Sequence, residues 1–365
     1  MTLQNLKQKI SIFNECNILF LLLFLVFSVS FLGQYIVAQG VFSVSVYNHI
    51  IRIIFCVALM ISICTVDYKF WMNFAYIIYA ISLILLVMVN LVGTFRLGAQ
   101  RWINLGFFMF QPSEIMKLAL ILALARYYTM LSYQEVKEIK NHITPFLFVF
   151  IPVILIMKQP DLGTASVLLV VGIAIIFLSG FPAKFFGLSV LVSMILCPLS
   201  WFFLRDYQKN RILTFINPDN DPLGTGYHIL QSKIAIGSGG LFGKGFLNGT
   251  QSRLDFLPEK NTDFIFTTIT EETGFIGGVV IILLLTSISF YCFWMGTSLK
   301  NNFSKLMCYG VGLLLFFHTF INIAMVMGLV PVVGIPLPFL SYGGSAMMTF
   351  IIGCGLVISA IIYRK

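Results

Sequence analysis

The chain has 365 residues, 59% of them hydrophobic and 10% charged, where a soluble globular protein carries about 45–50% and about 25%. No water-facing surface can be built from that composition, and backbone groups in lipid must be satisfied within the chain, so the sequence implies an all-α, polytopic membrane helical bundle. The net charge of +9 comes from basic residues scattered through the polar breaks with no basic-aromatic tract, which argues for membrane topology and against a nucleic-acid partner.

At the N-terminus, Lys7 and Lys9 precede an apolar run from Ile18 to Ala38. That run exceeds the core of a cleavable signal, about 7–15 residues, and reads as a retained first helix. Runs near the roughly 20 apolar residues that span a bilayer predict helices at 16–38, 48–66, 71–93, 113–131, 143–158, 162–181, 184–204, 264–295, 305–327 and 342–363. The expectation is about ten transmembrane helices in a single membrane domain, 1–365, with a large extracytoplasmic loop, 205–262, between helices 7 and 8.

With the N-terminus inside, the short inner segments collect Lys7, Lys9, Lys69, Lys137, Lys140, Lys184, Lys300, Lys305, Arg364 and Lys365, whereas the short outer ones hold only Arg96, Arg101 and Lys158. The positive-inside rule then puts both termini in the cytoplasm, and the seven basic residues of 205–262 do not reverse this, because long loops escape the rule. Cys16, Cys56, Cys64, Cys197, Cys292, Cys308 and Cys354 lie in or beside apolar runs without metal-ligand spacing and read as small core hydrophobes.

Charges near mid-bilayer cost about 2.5–3.5 kcal/mol each, so those that persist mark partners or a wet cavity. An outer segment carrying Arg101 and Trp102 leads through Gln111 and Pro112 into Ser113-Glu114-Ile115-Met116-Lys117. Ser113 is the expected N-cap, and Glu114 falls in the first turn, where the helix dipole favours an anion. Glu114 and Lys117, three apart, share a helix face; the spacing fits a structural ion pair and a cavity pair equally. On residue type alone, Asp161 in Lys158-Gln159-Pro160-Asp161 is an N-cap. Arg52, near the start of the second helix, either snorkels to the interface or adds positive charge to the cavity.

The large loop runs through Asn217-Pro218-Asp219-Asn220-Asp221-Pro222 and Gln231-Ser232-Lys233 to Gly243-Lys244-Gly245; its glycines and prolines make it loop, with a short amphipathic stretch near Tyr227 to Ile236. Gly243-Lys244 is not a phosphate loop: Ser238 stands where its first glycine belongs and Gly245 where Ser or Thr is required, so no nucleotide cofactor is expected. Beyond it, Asp263, Glu271 and Glu272 sit at an outer membrane face. With a helix starting near Asp263, Glu271 lies about 80° round from it and Glu272 on the far side, so one glutamate is expected to serve a cavity and the other the bundle. In the last outer loop, Gly328 to Ser345, three prolines and four glycines imply irregular backbone buried in protein or lining a cavity.

Three blocks carry a family pattern: Asp221-Pro222-Leu223-Gly224 through Gly245, Leu257-Pro258-Glu259 through Phe266, and Ser341-Tyr342-Gly343-Gly344-Ser345. The chain resembles the SEDS (shape, elongation, division, sporulation) glycosyltransferases over almost its whole length. Val332-Val333-Gly334-Ile335-Pro336-Leu337-Pro338 resembles the elongation-type branch. Asn261 and Thr270 depart from it, standing where a histidine and an alanine are usual. The resemblance implies polymerisation of lipid II outside the bacterial inner membrane with release of undecaprenyl diphosphate, in company with a class B penicillin-binding protein and other elongation-machinery proteins. It maps the essential aspartate onto Asp263, as general base or with a divalent cation, Mg or Mn. Arg101, Arg211, Lys233 and Lys117 would supply counter-charge to the diphosphate, and Asp161, Gln111, Trp102, Glu114, Glu271, Glu272, Ser341 and Arg52 complete the candidate cavity. A flippase for the same lipid-linked precursor is the alternative for a bundle with intramembrane charges. The carboxylate-rich outer loop and the lack of an internal repeat favour the enzyme.

Overall fold

The structure, a computed structural model, describes residues 3–96, 99–104, 109–182, 187, 201–203, 206–218, 221, 224–254, 256–257 and 259–364. Its helices are α1 (Leu3–Val37), α2 (Val44–Cys64), α3 (Tyr68–Val92), α4 (Pro112–Met130), α5 (Ile143–Lys158), α6 (Leu162–Leu178), α7 (Asp206–Ile216), α8 (Thr225–Ser238), α9 (Thr250–Arg253), α10 (Ile265–Ser298), α11 (Asn302–Val326) and α12 (Gly344–Ile362). Nine of the predicted spans coincide with helices among the described residues. The remaining one, 184–204, falls almost wholly outside them, as do Lys184, Cys197, Arg205, Asp219, Asn220, Pro222, Leu223, Pro258 and Lys365.

Among the described residues, seven helical segments are long and apolar enough to cross a membrane: Ile12–Val37, Val44–Cys64, Tyr68–Leu91, Ile139–Lys158, Ile265–Ser298, Asn302–Val326 and Gly344–Ile362. The apolar α6 is shorter, and α4 carries Glu114, Lys117 and Arg126. α4 tolerates these charges because it packs against α3, α5, α6, α11 and α12, and residues 116–125 are all buried. A helix apolar on every side belongs in the middle of a bundle, where neighbouring protein rather than lipid surrounds its polar groups.

Helix starts follow local chemistry. Asp67 caps α3 through Lys69 N (2.9 Å), Asp161 caps α6 through Thr164 N (3.1 Å) and Asn301 caps α11 through Phe303 N (2.8 Å). Ser113 does not cap α4: the helix begins one residue earlier, at Pro112, with Gln111 at the cap position and no side-chain cap bond. Proline at the first helical position has its φ already set and no N–H to satisfy, so it extends the helix past the expected cap.

Two features depart from the reading of the outer segments as loops. The stretch before α4 forms a small antiparallel sheet, β1 (Thr94–Arg96), β2 (Ala99–Asn104) and β3 (Met109–Phe110), in the order β1-β2-β3. The segment 205–262 is half helical, containing α7, α8 and α9. The amphipathic stretch predicted near Tyr227 to Ile236 lies inside α8, which Ser232 pins down: its Oγ lies 2.7 Å from Thr267 Oγ1 and donates to Val326 O at 2.7 Å.

α10 starts at Ile265 rather than at Asp263 and is broken at Gly274, where φ is +72°. Such a break frees backbone groups that lipid cannot satisfy, and here the glycine-rich loop 240–245 takes them up. Lys244 N and Gly245 N donate to Glu271 O and Glu272 O (both 3.1 Å), while Phe275 N and Ile276 N donate to Gly240 O (2.9 Å) and Leu241 O (3.3 Å). Gly243 and Gly274 are in backbone contact, both at positive φ. A Cβ at Gly274 would collide with Gly243 N and stand 2.6 Å from Leu241 O, so Gly274→Ala is expected to destabilise by more than about 1 kcal/mol. A thermal melt of the detergent-solubilised protein measures this; an unchanged midpoint would show that the loop can withdraw at no cost.

The predicted division of labour between Glu271 and Glu272 does not occur: both are buried, at 0% and 4% exposure, and both bind the same loop. Glu271 accepts from Lys244 Nζ (2.7 Å) and from the amides of Thr250, Gln251 and Ser252 at the start of α9. Glu272 accepts from Leu247 N at 2.8 Å. Neighbouring positions on a helix differ by about 100°, but a loop that wraps the broken helix reaches both.

Candidate active site

Asp263 sits in a turn just before α10, and the carbonyls of that turn are taken by other parts of the bundle. Asn261 O accepts from Tyr342 N (2.8 Å) and Gln34 Nε2 (3.2 Å). Thr262 O accepts from Ser341 Oγ (2.7 Å), and Asp263 O from Asn322 Nδ2 (2.9 Å). Glu259 opens the turn in the left-handed region, φ +52°, its carbonyl accepting from Thr262 N (3.0 Å) and Phe264 N (3.3 Å). A turn over-determined in this way fixes where the Asp263 side chain points, the requirement for a reacting group held to within fractions of an ångström.

The 328–343 loop walls the carboxyl. A Cβ at Gly334 (φ +70°) would stand 3.4 Å from Asp263 Oδ2, so backbone approaches the acid closely there. Asn322 Nδ2 also donates to Ile335 O at 2.7 Å, and Leu337 N donates to Ser341 Oγ at 2.7 Å. Ser341, a candidate cavity residue, thus joins this loop to the Asp263 turn.

Asp263 is half-buried, and its pKa is pushed up to about 6, first by burial and then by the Glu259 carboxylate; Arg211 and Arg101 oppose the rise and Asp161 adds to it. Acid and base near Asp263 therefore come from four separate segments. Arg101 is carried on β2, its guanidinium donating to Gln159 O (3.3 Å) and Pro160 O and lying 3.7 Å from Asp161 Oδ1. Gln111 Nε2 donates to Asp161 Oδ2 at 3.2 Å. Asp161 is thus the N-cap that its residue type suggested and also the group that gathers Arg101 and Gln111. A carboxyl whose pKa is raised to about 6, in the field of two arginines, has the chemistry to take a proton from a hydroxyl, and arginines have the chemistry to meet a phosphate.

The Glu114–Lys117 pair also forms: Lys117 Nζ lies 2.8 Å from each carboxylate oxygen, with the lysine and glutamate side chains 1% and 3% exposed. The pair is sealed inside protein, and it has a third member, His318, whose Nε2 is 3.0 Å from Lys117 Nζ. Arg52 does more than snorkel, since its guanidinium lies 3.9 Å over the Tyr342 ring. Lys233 is exposed and its stem crosses Gly328, at the edge of the last outer loop. Trp102 is half-buried in β2, in register with Thr94. Glu271 and Glu272 belong to the loop clasp.

Sequence reasoning passed over His318, Asn322 and Gln34, all buried. The signal was present: His318 and Asn322 are polar residues one turn apart in an apolar helix, on one face, but a search confined to formal charges does not register them.

A bundle of apolar helices, several long enough to cross a membrane, with Asp263 held in a fixed turn against the 328–343 loop, defines a multi-pass membrane protein. The family model described as cell cycle protein (FtsW/RodA/SpoVE) matches residues 10–365. The chain belongs to that family, the SEDS proteins. It is 44% identical over 301 residues, 82% of this chain and 80% of the other, to the peptidoglycan glycosyltransferase MrdB of Escherichia coli K12. To the peptidoglycan glycosyltransferase RodA of Treponema pallidum it is 33% identical, with 83% and 86% covered. Among solved structures, one reported as structural coordination of polymerization and crosslinking by a peptidoglycan synthase complex matches with a TM-score of 0.82 at 29% identity, covering 95% of this chain and 97% of that one. The rod shape determining protein RodA of Thermus thermophilus matches with a TM-score of 0.71 at 26% identity, with 95% and 96% covered.

Proposed function

We propose that this chain is an elongation-type peptidoglycan glycosyltransferase that polymerises lipid II into glycan strands and releases undecaprenyl diphosphate. The observation that carries the reading at the level of chemistry is Asp263, held in a rigid turn, its pKa pushed up to about 6 by burial while the charges of Arg211 and Arg101 oppose the rise. The glycan strands grow when a sugar hydroxyl attacks an anomeric carbon bearing a diphosphate. Asp263 takes the hydroxyl proton as the new C–O bond forms, and Arg101 and Arg211 meet the charge left on the departing diphosphate.

A divalent cation would add Lewis-acid neutralisation of the diphosphate. Among the described residues no group of three or more His, Cys, Asp or Glu side chains is arranged to hold a metal, so such an ion would draw most of its ligands from the substrate, with Asp263 as its protein contact. Titration of Mg or Mn against Asp263→Glu tests this: an unshifted cation midpoint would remove the contact.

The reading is tested by reconstituting the purified chain with lipid II and resolving the products on a gel. Strands are expected; lipid II recovered unchanged, with or without a cognate class B penicillin-binding protein, would overturn it. We place the chain in the bacterial inner membrane with about ten spans and both termini cytoplasmic, working with that transpeptidase and other elongation-machinery proteins. An impermeant maleimide added from outside should therefore label Phe242→Cys, an exposed position in the glycine-rich loop, and spare Glu138→Cys, exposed between α4 and α5. The reverse pattern would invert the topology.

A further inference from the structure

His318 and Asn322 stand one turn apart on α11 and are buried, at 1% and 0% exposure. Their hydrogen bonds go to consecutive carbonyls of the 328–343 loop. Asn322 Nδ2 donates to Ile335 O at 2.7 Å and also to Asp263 O at 2.9 Å. On the other ring edge, His318 Nδ1 is 3.4 Å from Pro336 O, while Nε2 is 3.0 Å from Lys117 Nζ.

The donor inventory fixes the histidine tautomer. An ammonium only donates, so Nε2 must present its lone pair to Lys117; Nδ1 then carries the proton and donates to Pro336 O. A charged imidazole would bring two N–H groups against an ammonium and a carbonyl, and the first contact would be repulsive. His318 is therefore neutral and oriented, with one edge reading the Glu114–Lys117 pair and the other the loop.

From this we infer that His318 and Asn322 are positioning residues: they transmit the placement of the buried Glu114–Lys117 pair, through the Ile335–Pro336 backbone, to the Asp263 turn. The path is continuous: Glu114 holds Lys117, Lys117 orients His318, His318 holds Pro336, and the adjoining Ile335 carbonyl shares Asn322 with Asp263. This gives the buried Glu114–Lys117 pair a role in holding the Asp263 turn.

The assignment rests on Asp263 serving polymerisation, and the experiment separates the two. Turnover of lipid II by the full-length protein is compared for His318→Leu, His318→Asn, His318→Gln and Asp263→Asn, each quantified by folded protein. His318→Leu is expected to lower kcat by about 10²-fold, the scale of an ångström-sized misplacement, with KM unchanged. Asparagine can reproduce the Nδ1 bond to Pro336 and glutamine the Nε2 contact to Lys117, so each is expected to recover part of the loss, to within about tenfold of wild type, the worth of one hydrogen bond. Apolar packing alone would instead put leucine at or above the two amides, and that order would overturn the linkage.

Because the effect runs through Asp263, the Asp263→Asn/His318→Leu double variant is expected to be no slower than Asp263→Asn. Losses that multiply would also overturn the linkage. If His318→Leu does not accumulate, the amide variants decide: kcat of both at the wild-type level overturns it, and a kcat loss in both with KM unchanged supports it. Full activity of Asp263→Asn would remove the base, a different failure from full activity of His318→Leu beside an inactive Asp263→Asn.

Discussion

Asp263→Asn is expected to insert and fold as the wild type does while polymerising lipid II at least about 10²-fold more slowly, the lower range for loss of a general base. Asparagine keeps the size and polarity of the side chain, and the contacts that hold the turn run to backbone carbonyls, so the substitution removes basicity with little else. The wild-type pH profile should carry the same group. Its pKa is raised to about 6, chiefly by burial, and the active form is the carboxylate. Activity should therefore be level above that pH and fall as pH drops through about 6, approaching tenfold per unit below it. An ordinary exposed aspartate would hold its activity to near pH 4. A profile flat down to that pH, or near-normal polymer from the asparagine variant, would sink the assignment.

Breaking the Glu114–Lys117 pair from one side should cost more than removing it. Lys117→Met leaves a carboxylate in protein with 3% exposure, and Glu114→Gln leaves an uncompensated ammonium with 1%. Each is expected to lower stability by about 3–5 kcal/mol, whereas replacement of both by side chains of similar volume is close to neutral. His318 sharpens the asymmetry, since its lone pair still stabilises Lys117 after Glu114 is neutralised but offers nothing to an unpaired Glu114. The lysine variant should therefore be the worse of the two. Thermal melts of the two singles and the double in detergent measure this, and additive losses would refute the pairing.

The gross architecture was legible in the sequence because apolar runs and the need to close backbone hydrogen bonds in lipid leave few options. Glu114 and Lys117 were legible as a pair because helical spacing is local information. What escaped was set by partners distant in the chain. Nothing near Glu271 and Glu272 shows that a loop beginning about 30 residues earlier folds back over both, because the helix break that admits it depends on tertiary backbone contact. β1 and β3 are too short to show an alternating pattern, and β2, Ala-Gln-Arg-Trp-Ile-Asn, does not alternate. The start of α4 moved from Ser113 to Pro112 because proline is favoured at the first helical position, which takes Ser113 into the helix and leaves Gln111 at the cap. Asp263 itself came from the family resemblance; the residues alone gave carboxylates at an outer helix mouth, without ranking them.

The clasp between the 240–245 loop and the break at Gly274 also bears on how the protein is made. Synthesis delivers residues 240–253 before α10, so when the first turns of α10 arrive, the segment that will close their open backbone is already made. A nick or long insertion between 253 and 263 would uncouple the two deliveries. The piece of α10 beyond Gly274 would then be left with unpaired amides at Phe275 and Ile276, which lipid cannot satisfy. Tags and reporters are better carried at the ends of this chain than in that short connection.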